Sequence, residues 1–410
     1  MAYLTATTNS ILTPTVIAKE ALMLLTNNLV MGKLVHREYK NEFKKVGTSI
    51  QIRKPVKATR QSGTATASPT DLAEYHETFS VATQDNVSWQ FSSVELTMEI
   101  EEYSKRYIAP NIAQLANGID YALTGLYDDI AQSVGTPGVT PATYAALGAA
   151  QQKLDEAGAP NDSRFAVVNP AAHWALADGL KGTFAATPAN DIHTKGLLGS
   201  VAGLDIHMDQ NIRAHTTGYF DTGATPLVDQ GAACVEGDFD LGIKGLPAGT
   251  EDIEAGDVFT VAAVYAVNPM NQSTTGTLYQ FVNLNTEATS TNTITADVFV
   301  TTGPGMRATG PYTNMTALPV DGAAVTFMGS ETTAYAQNMV FHPNAFGLVM
   351  MPLAMPSGVW GARATDTQMG VSVRVTKFWD GLIDQEACRL DVLYGVGTLY
   401  PELACRLWGA

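Results

Sequence analysis

The stretch GDVFTVAAVYAVNP, Gly256–Pro269, opens on a Gly-Asp turn, alternates apolar with small residues, and ends in Asn-Pro. TTGTLYQFV follows at Thr274–Val282. Two alternating runs around a polar turn predict a β-hairpin. Alternation sets Phe259 and Val261 on one face, with Leu278 and Gln280 on one face of the partner. The hairpin belongs to a longer run of the same texture. Residues 222–340 hold only Lys244 and Arg307 against twelve acids, are rich in Thr, Gly and Ala, and show no helical period. Short strands separated by turn residues predict a small β-barrel or sandwich. Mixed α/β segments flank the run on both sides, so it reads as an insertion.

Working outward, RFAVVNP reads as a buried strand, and TYAALGAAQQKLDEAGAP and AAHWALADGL read as helices around it. This is a mixed α/β module. Earlier, Pro110 opens a helix whose apolar positions Ile112, Leu115, Ala116, Ile119, Ala122, Leu123, Leu126 and Ile130 recur every three or four residues. From Pro110 to Ser133 it would run roughly 36 Å at ~1.5 Å per residue, a spine rather than a packing helix. Thr13-Pro14 starts another helix, with Ile17, Ala21, Leu24 and Leu25 on one face, up to about Met31. Between the two helices, Thr48–Lys54 and Glu77–Phe91 read as the limbs of a long hairpin with a Thr/Ser/Gly/Ala tip. The tail carries two alternating strands around Asp380-Gly381. Val371, Val373 and Val375 share one face of the first; Cys388, Leu390, Val392 and Tyr394 share one face of the second.

At 410 residues the chain is long enough for two or three modules. Its 45% apolar and 16% charged composition is globular. The opening shows no basic segment with a cleavage site, and no run predicts a membrane span. Cys234, Cys388 and Cys405 are an odd count without a CxxC pair, which predicts buried reduced thiols.

The net charge of −16 is unevenly placed: residues 1–60 hold ten Lys/Arg and three Asp/Glu, and the remainder fourteen and thirty-seven. An acidic body is a poor general binder of nucleic acid, because that affinity comes from neutralising phosphates. A basic arm beside an acidic body suits association between copies. Lys44, Lys45, Arg53, Lys54, Lys57 and Arg60 all lie on the first limb of the long hairpin.

Candidate chemistry is sparse. Asp205, His207 and Asp209 alternate on a predicted strand and would share a face able to hold a divalent metal. The simpler reading sends Leu204, Ile206 and Met208 to the core and those three to water. His173, beside Trp174, reads as a packed or surface histidine. GIKGLPAG at Gly242–Gly249 lacks the Gly-Lys-Ser/Thr ending of a phosphate loop. No nucleophile elbow or dinucleotide fingerprint occurs. The reading is structural, not enzymatic, with no cofactor.

The order of parts resembles the Hong Kong 97 fold of tailed-phage major capsid proteins, and the inserted β module makes it similar to the P22 coat protein family. The resemblance is carried by ELTMEIEEYSKRYIAPNIAQLANGID (Glu95–Asp120), GLDIHMDQNI (Gly203–Ile212), the hairpin quoted above, and RVTKFWDGLIDQEACRLDVLYGVGTLYPELACRL (Arg374–Leu407). It implies an α+β chain divided into an N-terminal arm (1–43), an extended hairpin (44–92), a spine helix with part of the peripheral domain (93–135) and an axial domain (136–221 and 341–370). The inserted β domain (222–340) and long peripheral strands with the C-terminus (371–410) complete it. It further implies pentamers and hexamers of one subunit closing an icosahedral shell around double-stranded DNA in the host cytoplasm, with scaffolding and portal proteins as further partners. In that setting the basic limb would lie on an acidic neighbour, with Glu99, Glu101 and Glu102 as its partners. One branch of the fold cross-links subunits through lysine and asparagine. The hairpin tip here, Ser62–Thr70, has no lysine, so that chemistry is not expected. A nanocompartment shell of the same fold and, more distantly, a metal enzyme on the Asp205 face are the alternatives.

Overall fold

The computed structural model describes residues 14–39, 49–58, 74–92, 107–180, 198–220, 225–229, 234–246, 252–284, 287–288, 293–299, 305–358, 360–366, 370–381 and 384–409. Five α-helices and three principal sheets form a mixed α+β chain over these residues: α1 Pro14–Asn28, α2 Met31–Leu34, α3 Ala109–Thr124, α4 Tyr144–Glu156 and α5 Pro170–Leu180.

The first sheet is built on the tail. Gln385–Thr398 pairs antiparallel with Ser372–Asp380 and Phe346–Met351 on one side and with Thr83–Ser92 on the other. The alternating residues of the tail, Val373, Val375, Leu390 and Val392, are buried beneath Ile17, Ala21 and Leu25 of α1 and Ile112, Leu115, Ile119 and Leu123 of α3. Both helices therefore bury the apolar stripe that their sequences display. The spine is shorter than its periodicity predicts. α3 ends at Thr124 and tightens into a 3₁₀ turn at Gly125–Asp129, about 24 Å of α-helix at ~1.5 Å per residue. The Thr124 hydroxyl bonds the Tyr121 and Asn211 carbonyls at 3.1 and 2.8 Å, and Arg213 Nε donates to the Tyr121 carbonyl at 3.0 Å. At this end the Tyr121 carbonyl thus has a donor from another segment, Arg213, while the Thr124 hydroxyl ties the helix to the Asn211 carbonyl.

The long hairpin also departs from the sequence reading. Ser49–Arg53 pairs with His76–Ser80, but Thr83–Ser92 leaves the hairpin and joins the tail sheet. The second limb is thus two strands divided at Val81-Ala82. The division falls where Thr83 meets Tyr394. A Cβ at the next residue, Gly395, would lie 2.2 Å from the Ser80 carbonyl oxygen, so only glycine lets the crossing chain approach.

The second sheet is mixed, in the order Ser133–Val134, Ala404–Leu407, Asn338–Phe341, Arg164–Val168, Leu204–Met208, Ser200–Val201. α4 and α5 cover it through Leu147, Leu154, Leu176 and Leu180. Asn338–Phe341 lies inside this sheet although the sequence reading carries the β module to residue 340, because its residues pair with both Ala404–Leu407 and Phe165–Val167.

The third sheet holds the opening stretch. Val258–Val267 and Thr274–Asn283 pair antiparallel, with a register shift between Thr260 and Tyr265. Ala263 sits in that bulge at φ 64°. The strand order is Val325–Phe327, Val258–Val267, Thr274–Asn283, Thr293–Phe299, Asp240–Lys244, Leu227–Val228. The ring then closes: Val228 N donates to the Ala323 carbonyl and Val325 N to that of Pro226, both at 2.9 Å. Closure removes the exposed edges that invite foreign strands. Inside the barrel, Phe220 stacks on Phe327 at 4.5 Å, and Phe259 on Phe281 at 5.5 Å. The barrel joins the body through one two-stranded stalk, Ala214–Thr216 against Ala334–Ala336. The segment leaves and returns side by side.

Candidate functional site at the hairpin base and the barrel junction

Among the basic residues singled out in the sequence, Arg53, Lys54 and Lys57 are described; Lys44, Lys45 and Arg60, and the acids Glu99, Glu101 and Glu102, lie outside the described residues. Arg53 meets Glu74 at 3.4 Å across the hairpin, both largely exposed. Lys54 turns inward. Its backbone donates to the Tyr75 carbonyl at 2.8 Å, and its ammonium stands 4.9 Å above the Tyr400 ring. Burial lowers its pKa, with Glu402 and Glu77 pulling the other way. Glu77, desolvated in the same place, is pushed up to about 7 in spite of Lys54. Lys57 reaches the barrel: its N–H donates to the Tyr312 hydroxyl at 2.9 Å, and Tyr75 packs edge-on against that ring at 5.1 Å. The Lys54 ammonium and the Lys57 backbone N–H are therefore engaged within their own chain, while the Lys57 side chain is exposed. They anchor the hairpin base to the barrel and to the Tyr400–Glu402 turn, around a cavity of about 380 Å³.

The metal alternative meets a different arrangement. The strand ends at Met208, which is 40% exposed, whereas Asp209 beyond it is buried and accepts the Asn211 N–H at 2.8 Å. The predicted alternation thus fails at its last two positions, where the chain has left the sheet. His207 lies against Phe165. Among the described residues no three His, Cys, Asp or Glu gather as a metal site. The three cysteines are buried thiols, and burial pushes that of Cys405 up to about 12.

A second cluster was not singled out in the sequence, and it holds the barrel to the body. The His215 ring bridges Tyr127 Oη at 3.2 Å and Asp257 Oδ1 at 2.9 Å. Asp257 Oδ2 accepts the N–H groups of Gly218 at 3.0 Å and Glu254 at 2.9 Å. Arg406, 1% exposed, donates from NH1 to the Gly256 carbonyl at 2.7 Å and faces the Tyr127 ring. Its burial lowers the guanidinium to about 10, against the support of Asp128 first and of Tyr127, Asp257 and Asp129 after it. Asp128, in turn, is raised by burial. A cavity of about 520 Å³ opens beside Tyr127, His215 and Glu254. A third contact ties Gln280 of the barrel to Ser133 of the body. The only local signal for this cluster was Arg406 itself, a charge inside the otherwise apolar strand Ala404–Leu407.

This arrangement fixes one module upon another. A major capsid protein of Acyrthosiphon pisum secondary endosymbiont phage 1 is 24% identical over 295 residues, 68% of each chain. A solved structure from Mycobacterium phage Che8 covers 92% of this chain and 90% of that one at 13% identity and TM-score 0.49. The coat-protein I-domain of CUS-3 is 24% identical over 26% of this chain and 96% of its own, at TM-score 0.18. A family model described as P22 coat protein, gene protein 5, matches residues 5–409, and the chain belongs to that family.

Proposed function

We propose that this chain is the major capsid protein of a tailed phage, and that its copies close as pentamers and hexamers into an icosahedral shell around double-stranded DNA. The observation that carries this is the match of the P22 coat protein family across residues 5–409. The major capsid relative supports it, as does the arrangement of spine helix, long tail sheet, mixed sheet and stalked barrel. On this reading the chain has the Hong Kong 97 fold, and the barrel is an inserted domain that buttresses the subunit and meets neighbouring capsomers. The protein is structural, without a reaction of its own, and assembles in the host cytoplasm with scaffolding and portal proteins. Its acidic body, at net −16 for the whole chain, encloses DNA without gripping it.

On this reading the basic limb, Lys44, Lys45, Arg53, Lys54, Lys57 and Arg60, meets Glu99, Glu101 and Glu102 of a neighbouring copy, with Lys54 contributing least because its ammonium already lies over the Tyr400 ring. Electron microscopy and sedimentation of the purified product test the reading. Closed shells or capsomers are expected; a stable monomer that forms neither under any assembly condition would overturn it.

A further inference from the structure

Gly256 of the barrel meets the body's buried arginine. Its carbonyl takes the NH1 proton of Arg406 at 2.7 Å. On its other side, a Cβ built on Gly256 would stand 2.6 Å from Asp128 Oδ1, 3.1 Å from Tyr127 Cε2 and 3.3 Å from His215 Cε1. The bare α-carbon is thus pressed against the carboxylate, at φ +96°, where side chains are strained. Gly256 thus touches both Arg406, which is buried, and the half-buried Asp128 at its buried Oδ1.

Those two groups are incompletely satisfied. Arg406 Nε and NH2 and Asp128 Oδ1 are buried without hydrogen-bond partners. Arg164, the other buried arginine among the described residues, shows what a settled one looks like: its Nε donates to the Pro160 carbonyl, and its Nη2 to Asp155, Asn161 and the Ala159 carbonyl, all within 2.8 Å. Buried charge left short of partners is costly, and a donor and an acceptor short of each other define a second arrangement of the same atoms. The stalk supplies a pivot, because the barrel's covalent connections both run through its two short strands.

We propose that the junction is a two-position latch for the barrel. Seated, Gly256 occupies Arg406 and keeps it from Asp128, while the His215–Asp257 pair holds the barrel down. Withdrawn, Gly256 leaves, and Arg406 closes on Asp128. The barrel then turns about the stalk without unfolding. The proposal rests on this geometry and not on shell assembly.

Hydrogen exchange on the full-length chain tests it. The N–H groups of Gly218 and Glu254, held by Asp257, and of Ser133, held by Gln280, report seating. The paired strands around Phe259 and Phe281 report the barrel's own integrity. Asp257→Asn weakens the hold and should speed exchange at the three reporters about tenfold or more, the equivalent of one hydrogen bond to a charged group. The barrel strands should stay protected.

Asp128→Asn decides the matter by sign. A latch loses the partner of its withdrawn state, so exchange at the reporters should slow severalfold, both in the otherwise native chain and in the Asp257→Asn background. A fixed network loses a supporting charge beside Arg406 and should exchange faster. Faster or unchanged exchange overturns the proposal. Gly256→Ala supplies an independent arm, because its methyl group cannot seat. Reporter exchange should rise with the barrel strands still protected, and protection of the reporters at the native level would also overturn the latch.

Discussion

Gln280 and Ser133 exchange hydrogen bonds in both directions. The Ser133 N–H donates to Gln280 Oε1 at 2.9 Å, and Gln280 Nε2 donates to the Ser133 carbonyl at 3.1 Å and to its hydroxyl at 3.0 Å. One side chain of the barrel thus acts as a backbone partner for the edge strand Ser133–Val134 of the mixed sheet. A carboxamide does this because it carries a donor and an acceptor side by side.

Gln280→Ala should therefore lower the stability of the full-length chain by ~1–3 kcal/mol, since it strands polar groups on the buried Ser133. Gln280→Glu should be no better. Its carboxylate can accept from the Ser133 N–H but has nothing to donate to the carbonyl. Urea denaturation curves measure both. A neutral alanine variant would show that the contact is incidental.

Asp120 gives a pH dependence. Its carboxylate, on the buried face of α3, accepts the N–H of Val30 at 2.7 Å and of Gly32 at 2.9 Å, fastening α2 to the spine. Burial outweighs those bonds and pushes its pKa up to about 7, and burial pushes Glu77 there as well. Unfolded carboxylates titrate near ~4, so the native chain holds more protons across the interval between. Stability contributed by these groups is thus complete below about pH 4 and is lost as pH rises towards about 7. Denaturation midpoints should fall from pH 5 to pH 7.5, and Asp120→Asn should flatten the slope. Asp120→Ala should cost ~1–3 kcal/mol at any pH in this range, because two backbone donors lose their acceptor. A midpoint that rises with pH would contradict the assignment.

How much of this could be read from the chain depends on how local its cause is. The stripe of α3 and the alternation of Val371, Val373 and Val375 were legible because burial imposes a period on neighbouring residues. The length of α3 was not, since the contacts at its end, Arg213 on the Tyr121 carbonyl and the Asn211 carbonyl on Thr124, come from another segment. Nor was the division of the second hairpin limb, which depends on Gly395, more than three hundred residues further along. The site divides the same way. A run of lysines is visible in sequence, but that Lys54 and Lys57 turn towards Tyr400 and Tyr312 is a fact of tertiary packing. His215, Asp257 and Arg406 carry no shared spacing at all.

The hairpin base separates its charges by role. Arg53→Ala should change subunit stability by less than ~1 kcal/mol, since its pair with Glu74 is exposed and weak. Lys54→Ala should cost about 1 kcal/mol, because it removes a partly desolvated cation from the Tyr400 ring. In assembly the order should reverse. Replacing Lys44, Lys45, Arg53 and Arg60 by Gln should slow shell formation and weaken its dependence on salt, as screened pairs require. Light scattering across a salt series reads this directly. Native assembly rates from the fourfold variant would remove these residues from the interface.

The barrel tests the limits of the inserted segment. The sequence reading begins it at residue 222, which omits Phe220. Yet Phe220 is buried and stacks on Phe327 at 4.5 Å and 8°, closing one end of the barrel core with Phe259 behind it. At the other limit, residues 338–340 belong to the mixed sheet and would hang from the fragment as an unpaired apolar strand. The stalk marks better ends. Thr217 and Thr333 bond across it, and Thr332 N donates to the Gly218 carbonyl at 3.2 Å. A fragment of residues 218–333 keeps the full core cluster, including Phe220, Leu241, Ile243, Phe259, Phe281 and Val325. It should fold alone into a β-rich monomer with a cooperative melt. Residues 222–340 should be less stable by ~3–5 kcal/mol, the usual cost of deleting a buried phenylalanine, and more prone to associate through the added strand. Circular dichroism melts and sedimentation of the two fragments make the comparison. Equal stability would mean that Phe220 closes nothing; a disordered longer-core fragment would mean that the barrel stands only when seated on the body.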